Sequence, residues 1–554
     1  MIGKLAAGGL LFIMVTSGCQ GPEQLGVAPI FGDHMVLQAN TQVNIWGEGT
    51  PGKDVTVSFR DQVKQGTVDG MGNWKITLDP LAYGGPDSLV ISTKSNRIAL
   101  FDLLVGEVWI CSGQSNMEMP LISNWAKLNH AQEEVENARY PQIRLFTVQR
   151  NLAFQPVDTL GTLGWMECNP ESVKDFSASA YFFGRELYRE LGVPVGLIHS
   201  SWGGTVAQAW TSGESLATMD DFRKEVEVIS QISGSPDTLR AKYRRDVEQM
   251  LREIAELDAG IDGNDTVFAS EEVDISGWLM MDLPKMWEET ALGSFDGSGW
   301  FIKDIELSES MVNSELTLCY SAPDDYDEAW FNGTKVGMSR AWDVPREYVI
   351  PPGIAKVGKN RIVIRVMDYQ GGGGFMGEEK HFAIKSSDGR SIPIAQGWSA
   401  KKGFDLKDVN TRPVSLANPN QPTVLYNAMI HPLIPYTIRG VIWYQGESNA
   451  GSAYQYRDLF KTLIRDWRMQ WDQGDFPFLF VQLANYLKKN EVPVEDTWAE
   501  LREAQTMALE LPNTGMAVAI DIGDALDIHP GNKQEVGKRL AINALALVYD
   551  RDIP

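Results

Sequence analysis

The sequence predicts an α/β protein whose central domain is preceded by a small β-sandwich and interrupted by a β module. Three observations predict it. Short apolar or alternating runs, broken by Pro and Gly, fill residues 28–100. Nearly continuous apolar runs followed by helical periodicity appear after 103 and return after 440, the mark of strands buried on both faces. Between these two stretches, from about 270 to 390, the pattern reverts to β.

The elements follow in order. Lys4, the apolar run Leu5 to Val15 and small residues before Cys19 read as a secretion signal. A Cys directly after small residues resembles a bacterial lipobox, so Cys19 is the expected lipidation site. The expected location is extracytoplasmic, anchored to the cell envelope. The apolar run is too short for a comfortable membrane span. Residues 20–30 read as a tether. Val43–Gly47, Val55–Phe59 and Trp74–Leu78 read as sandwich strands, punctuated by Pro51-Gly52, Asp69-Gly70 and Gly84-Gly85-Pro86. Leu103 to Cys111 is a buried strand, Ser177 to Leu191 a helix stopped by Gly192 and Pro194, and Val195 to His199 the next strand. Residues 214–258 are helical and charged. Gly440–Tyr444, Phe478–Gln482 and Met516–Ile522 restore buried strands, with a helix at Leu459–Trp471. The expected domain limits are 1–19 (signal), 20–101 (sandwich), 102–268 and 391–554 (the two parts of the α/β domain) and 269–390 (the insertion).

The bulk numbers exclude some functions. Net charge is −24 over 554 residues, which repels nucleic acid, and no Lys/Arg stripe offsets it. Apart from Cys19 the cysteines are Cys111, Cys168 and Cys319, with no zinc-like spacing, so buried thiols are expected and neither metal nor cofactor. The 17 Trp and 16 Tyr suit sugar rings and β-cores alike.

Four polar clusters stand directly after predicted strands, where α/β sites form. Ser112-Gly113-Gln114-Ser115-Asn116 places a serine at a tight turn with backbone amides suited to an oxyanion. Asp524-Ala525-Leu526-Asp527-Ile528-His529 supplies one of only six histidines together with a carboxylate to orient it. Trp202-Gly203-Gly204-Thr205 lets backbone approach a ligand, and Gln445-Gly446-Glu447-Ser448-Asn449 offers amide donors. Each string alone is weak; four at strand ends converge on one site.

Gly113–Met117, Trp202–Thr205, Trp443–Asn449 and Asp527–Pro530 together resemble the sialate O-acetylesterases of the SGNH hydrolase superfamily, and Phe31–Gln38 resembles the opening of their N-terminal sandwich. The resemblance implies a flavodoxin-like three-layer hydrolase domain and hydrolysis of acetyl esters on sialic acids or on plant polysaccharides such as xylan. It implies Ser115 as nucleophile, His529 as base and Asp527 as acid, with Asp524 the alternative. It implies oxyanion donors from the Ser115 amide, Gly204 (alternatively Gly203) and Gln445 (alternatively Asn449). Asn116, Trp202, Glu447 and His431 are the expected substrate contacts. Asp327–Gly333 is similar to jelly-roll domains of β-galactosidase-like enzymes, which makes the insertion a galactose-binding-like jelly-roll. The rival from another class is a non-catalytic carbohydrate-binding surface lipoprotein. It leaves the Ser, Asp and His at strand ends unexplained.

Overall fold

The computed structural model describes residues 23–553 except 235, 264, 370, 490 and 493. Cys19 and the signal segment lie outside the described residues. The chain divides into two compact units: one runs to Ser233 and resumes at Ala417, the other is Gly234–Leu416.

The first unit is built on β1 (Arg97–Gly113), β2 (Tyr140–Val148), β3 (Thr162–Cys168), β4 (Val195–Ser201), β5 (Gly440–Tyr444), β6 (Phe478–Val481) and β7 (Thr514–Ala517). Their spatial order is β7-β6-β5-β1-β4-β2-β3. All pair in parallel except β3, which runs antiparallel to β2 at the edge. The chain leaves β1 toward β4 on one side and reaches β5 on the other, so the carboxyl end of β1 is a switch point, the place where such sheets bind ligands.

Helices cover both faces. Val441 and Trp443 of β5 point into a core shared with α3 (Ala453–Trp471) and α4 (Thr497–Met507). Ile442 and Tyr444 point the other way, into a core shared with α2 (Ala178–Leu191) and α5 (Lys533–Val548). That alternation makes an uninterrupted apolar strand the right sequence for a sheet buried on both sides. Helix α2 starts at Ser177, whose hydroxyl accepts from Ala180 N–H, and ends at Gly192 with φ +64°, as its sequence signals indicate.

The N-terminal strands are not a separate body. Gly84–Ser92 pairs antiparallel with the first half of β1, and Val36–Gln38 pairs parallel with its middle. The expected limit at 101/102 therefore falls inside one strand of 17 residues. Asp102, with φ +57°, lies at an irregularity in the pairing of that strand with Gly84–Ser92. The expected strand Met516–Ile522 is shorter in the structure. It stops at Ala517, and Val518 and Ile520 are exposed.

The second unit carries two large antiparallel sheets beside a two-stranded one, Pro323–Asp324 with Gly374–Phe375. The six-stranded one has the order Leu279–Met281, Trp398–Asp405, Gly297–Leu307, Gly358–Asp368, Tyr326–Phe331, Thr334–Ser339. The four-stranded one has the order Arg346–Ile350, Leu316–Tyr320, Ala383–Ser386, Ser391–Pro393. Phe301, Leu318, Tyr320, Ile364 and Trp398 share one apolar core. The insertion is thus wider than 269–390. Trp398–Asp405 pairs with Gly297–Leu307 inside it, and buried Asp258 accepts from Ser298, Trp300 and Arg365.

Cys111, Cys168 and Cys319 are free buried thiols, and burial pushes the Cys168 thiol up to about 12. Among the described residues no helix is long and apolar enough to cross a membrane.

Candidate active site

Gly113 ends β1 with φ +143°, and a Cβ there would stand 2.1 Å from the Tyr444 carbonyl oxygen, so only glycine fits. The turn it permits starts α1 (Ser115–Glu118) with Ser115 at its first position. The loop after β7 carries His529 to it: His529 Nε2 lies 3.0 Å from Ser115 Oγ. His529 Nδ1 lies 3.1 Å from Asp527 Oδ1, and the same oxygen accepts from the His529 backbone N–H at 2.8 Å. Asp524 makes a local turn instead, accepting from Leu526 N–H at 2.9 Å. Of the two candidate acids, Asp527 is the one in contact with the imidazole. Burial, then the nearby Lys533 ammonium, hold His529 below the usual histidine range, while Asp527 opposes them.

Ser115 opens onto a cleft of about 490 Å³ lined by Gln114, Glu118, Trp125, Arg150, Gly203, Gly204, Glu447, Ser448, Ile528 and His529. Trp125 is half-exposed and sets its ring edge-on to the His529 ring at 4.9 Å. Arg150 pairs with Glu118 and lies over the Trp202 ring at 5.5 Å.

The expected oxyanion donors part company here. Gly203 packs against the Ser115 backbone, but its N–H donates to the Glu118 carboxylate. Gly204, with φ +73°, lines the cleft beside it. Gln445 is a correction. Its Nε2 donates to Thr205 O and Asn449 Oδ1, its Oε1 accepts from Tyr456, and it is fully buried. The alternative Asn449 is a correction for the same reason, bound to Ala207 N–H, Gln445 and Gln208. Both amides brace the scaffold: the two Gln445 Nε2 donors are used on Thr205 O and Asn449 Oδ1, and Asn449 Nδ2 donates to Gln208. Gln114 has the placement expected of them. Its Oε1 accepts from Gly446 and Ser448 N–H, which fixes the amide orientation and leaves Nε2 as its donor end in the cleft.

Among the expected substrate contacts, only Glu447 lines the cleft. Burial pushes its carboxyl up; Oε1 accepts from Asn116 at 2.6 Å and Oε2 is buried without a partner. Asn116 is buried behind Ser115, and its side chain is spent on Glu447, Ile528 O and Lys533. Trp202 backs Arg150 and ties its N–H to Gly113 O, away from the cleft surface. His431 belongs elsewhere: its ring bonds Val157 O, and it lines two other clefts that do not contain Ser115. His199 is buried beside Ser201, with burial holding it down at about 4.

Among the described residues one group of side chains has the spacing of a metal site. His34, Asp102 and Glu167 are close enough to share an ion. The Arg144 guanidinium already bonds Asp102 and faces Glu167, and its fixed positive charge opposes a cation there. The Phe31–Gln38 motif is accounted for by this cluster and by the pairing of Val36–Gln38 with β1.

Gln114, Glu118, Trp125, Arg150 and Lys533 were not anticipated. Trp125 and Arg150 sit in irregular segments without a periodic signal. Lys533 did carry one: a lysine opening a helix stands against the helix dipole, where a cation is disfavoured.

Residues 400–546 match the family model for carbohydrate esterases described as sialic acid-specific acetylesterase. Sialate O-acetylesterase from Mus musculus is 26% identical, covering 93% of this chain and 72% of its own length. The Homo sapiens sialate O-acetylesterase is also 26% identical, covering 94% of this chain and 71% of its own. The crystal structure of a carbohydrate acetylesterase from Xanthomonas citri superposes with a TM-score of 0.56 at 25% identity, covering 95% of this chain and 76% of that one. The two relatives and the solved structure cover 93%, 94% and 95% of the chain, which is therefore similar over nearly its whole described length to sialate O-acetylesterases and to a carbohydrate acetylesterase.

Proposed function

We propose that this protein is a carbohydrate O-acetylesterase that removes acetyl groups from sugars through Ser115 and an acetyl-enzyme. The observation that carries the reading is the 3.0 Å contact of Ser115 Oγ with His529 Nε2 at the mouth of the cleft. His529 takes the Ser115 proton as Oγ attacks the acetyl carbonyl, then gives it to the departing sugar oxygen. Asp527 on Nδ1 keeps Nε2 the unprotonated nitrogen. The Ser115 and Gly204 amides and Gln114 Nε2 are the donors for the oxyanion. Water then repeats the attack on the acetyl-enzyme, with His529 again as base, and frees acetate.

The sugar side is the Trp125 indole, whose face suits a pyranose ring, together with the Arg150 guanidinium. Arg439, Arg457 and Arg502 stand outside this cleft. Arg439 pairs with Glu107 and Arg457 with Glu503. The five central strands β4-β1-β5-β6-β7 support a flavodoxin-like SGNH domain, and the two large antiparallel sheets of the second unit support a jelly-roll. Lipidation at Cys19 remains part of the reading and rests on the N-terminal sequence; incorporation of labelled palmitate by the wild type but not by Cys19→Ala tests it.

Ser115→Ala is expected to abolish release of 4-nitrophenol from its acetate while the circular dichroism spectrum stays unchanged. Retained turnover would sink the serine assignment. Acetylated sialic acid assayed beside acetylated xylan identifies the preferred sugar.

A further inference from the structure

Behind the Ser115 turn lies a buried polar cluster that the proton transfers do not use. Lys533, the first residue of α5, is fully buried and donates to Asn116 Oδ1 at 2.5 Å. Asn116 Nδ2 donates to Glu447 Oε1 at 2.6 Å and to the carbonyl of Ile528, the residue before His529, at 3.1 Å. One amide thus joins three segments: the Ser115 turn, the loop after β5 and the loop carrying His529. Its orientation is fixed by chemistry, since an ammonium can only donate and a carbonyl can only accept. The Lys533 ammonium lies 5.3 Å above the Tyr444 ring, on the strand end that holds Gly113.

We infer that Lys533 is a positioning residue of the esterase site: through Asn116 it clamps the His529 loop to the Ser115 turn and sets their spacing.

The surroundings support a role beyond packing. A cation buried at a helix start is costly, and a methionine would fill the same space without that cost. The charged and titratable groups facing Lys533 are Tyr444 at the end of β5, Glu447 from the loop after it, and Asp527 and His529 from the last loop. Glu118 and Arg150 line the cleft. Burial lowers Lys533 to about 7, against the pull of Glu447 and Asp527. Where Lys533 is protonated, its charge disfavours a second cation on His529 and keeps the base neutral. Removing that charge must raise the His529 pKa and move the acid limb of kcat/KM to higher pH.

The inference rests on the esterase reading for its kinetic consequence only. The test uses the full chain with Lys533→Met, which removes donor and charge, and Lys533→Gln, which keeps a donor. In Lys533→Met, kcat for 4-nitrophenyl acetate should fall between about ten- and a hundredfold with little change in KM. Lys533→Gln should lose less. In both, the His529 ring titration, followed by nuclear magnetic resonance of isotope-labelled histidine and assigned with His529→Gln, should rise by about half a pH unit or more. An unmoved His529 midpoint, or an unchanged kcat in folded variants, overturns the assignment. If Lys533→Met does not fold, Lys533→Gln decides on the same criteria. If the wild type releases no acetate at all, the esterase reading fails while the histidine titration still judges Lys533.

Discussion

Asp524 and Asp527 are both carboxylates within five residues of His529, and their fates differ because of what each oxygen reaches. Asp524 accepts from the backbone two residues on and closes a turn. Asp527 accepts from both the backbone and the ring of His529, so it places the imidazole as well as polarising it. Asp527→Asn should therefore reduce kcat by at least about a hundredfold, because an amide that donates to Nδ1 favours the wrong tautomer. Asp524→Asn should stay within a few-fold, since an Asn side-chain oxygen closes the same turn. Steady-state kinetics of the two variants side by side check this. Equal mild losses would mean that neither is the acid. The Asp-x-His spacing makes Asp527 readable from sequence. Lys533, four positions beyond His529, is readable only as an oddity of charge at a helix start.

At the scale of elements, the site is a set of strand ends, and the loops that follow them divide into those that face the cleft and those that brace it. Gln114 follows β1 and Gln445 follows β5, and composition alone does not separate them. The difference comes from a neighbour eleven residues later: Tyr456 on α3 donates to Gln445 Oε1 and turns that amide into the sheet's support. Gln114 is anchored only by its oxygen. Two glutamine-to-alanine variants should then behave oppositely. Gln114→Ala should lower kcat by about a hundredfold with melting unchanged, as for loss of an oxyanion donor. Gln445→Ala should cost about 1–3 kcal/mol of stability by leaving Thr205 O and Tyr456 without partners. Thermal melts and kcat measured on both variants test the division, and a catalytic loss confined to Gln445→Ala would reverse it. The existence of the strands, of α2 and of the Ser115 turn was legible because burial on both faces and glycine conformation leave marks in sequence. Which side chain turns inward leaves none.

The chain divides into two compact units, and the sequence misplaces their limits for a physical reason. A strand such as Trp398–Asp405 looks the same whichever sheet it joins; only its pairing with Gly297–Leu307 assigns it. Within the second unit, buried Asp327 accepts from Arg346 at 2.6 Å, Tyr320 at 2.5 Å and Tyr348 at 2.9 Å. Asp327→Ala leaves Arg346 as an uncompensated buried charge, at a cost of about 3–5 kcal/mol. Calorimetry should show the loss in the transition of that unit alone, with kcat/KM of the folded protein within about twofold of wild type. A matching drop in the melting of the first unit would show the two to be energetically one.

The strand that passes through the expected domain limit also bears on the order in which the molecule takes shape. The first half of β1 meets Gly84–Ser92 across a short reverse turn, whereas its second half must wait for Val195–Ser201 and for Gly440–Tyr444, more than three hundred residues downstream. Contacts close in sequence lose less chain entropy on closing and form first. The register of the strand that leads to Ser115 is therefore set first by a local hairpin, before Val195–Ser201 and Gly440–Tyr444 are available to pair. An error in that hairpin would reach Ser115 as a one-residue slip, with the composition of the chain unchanged.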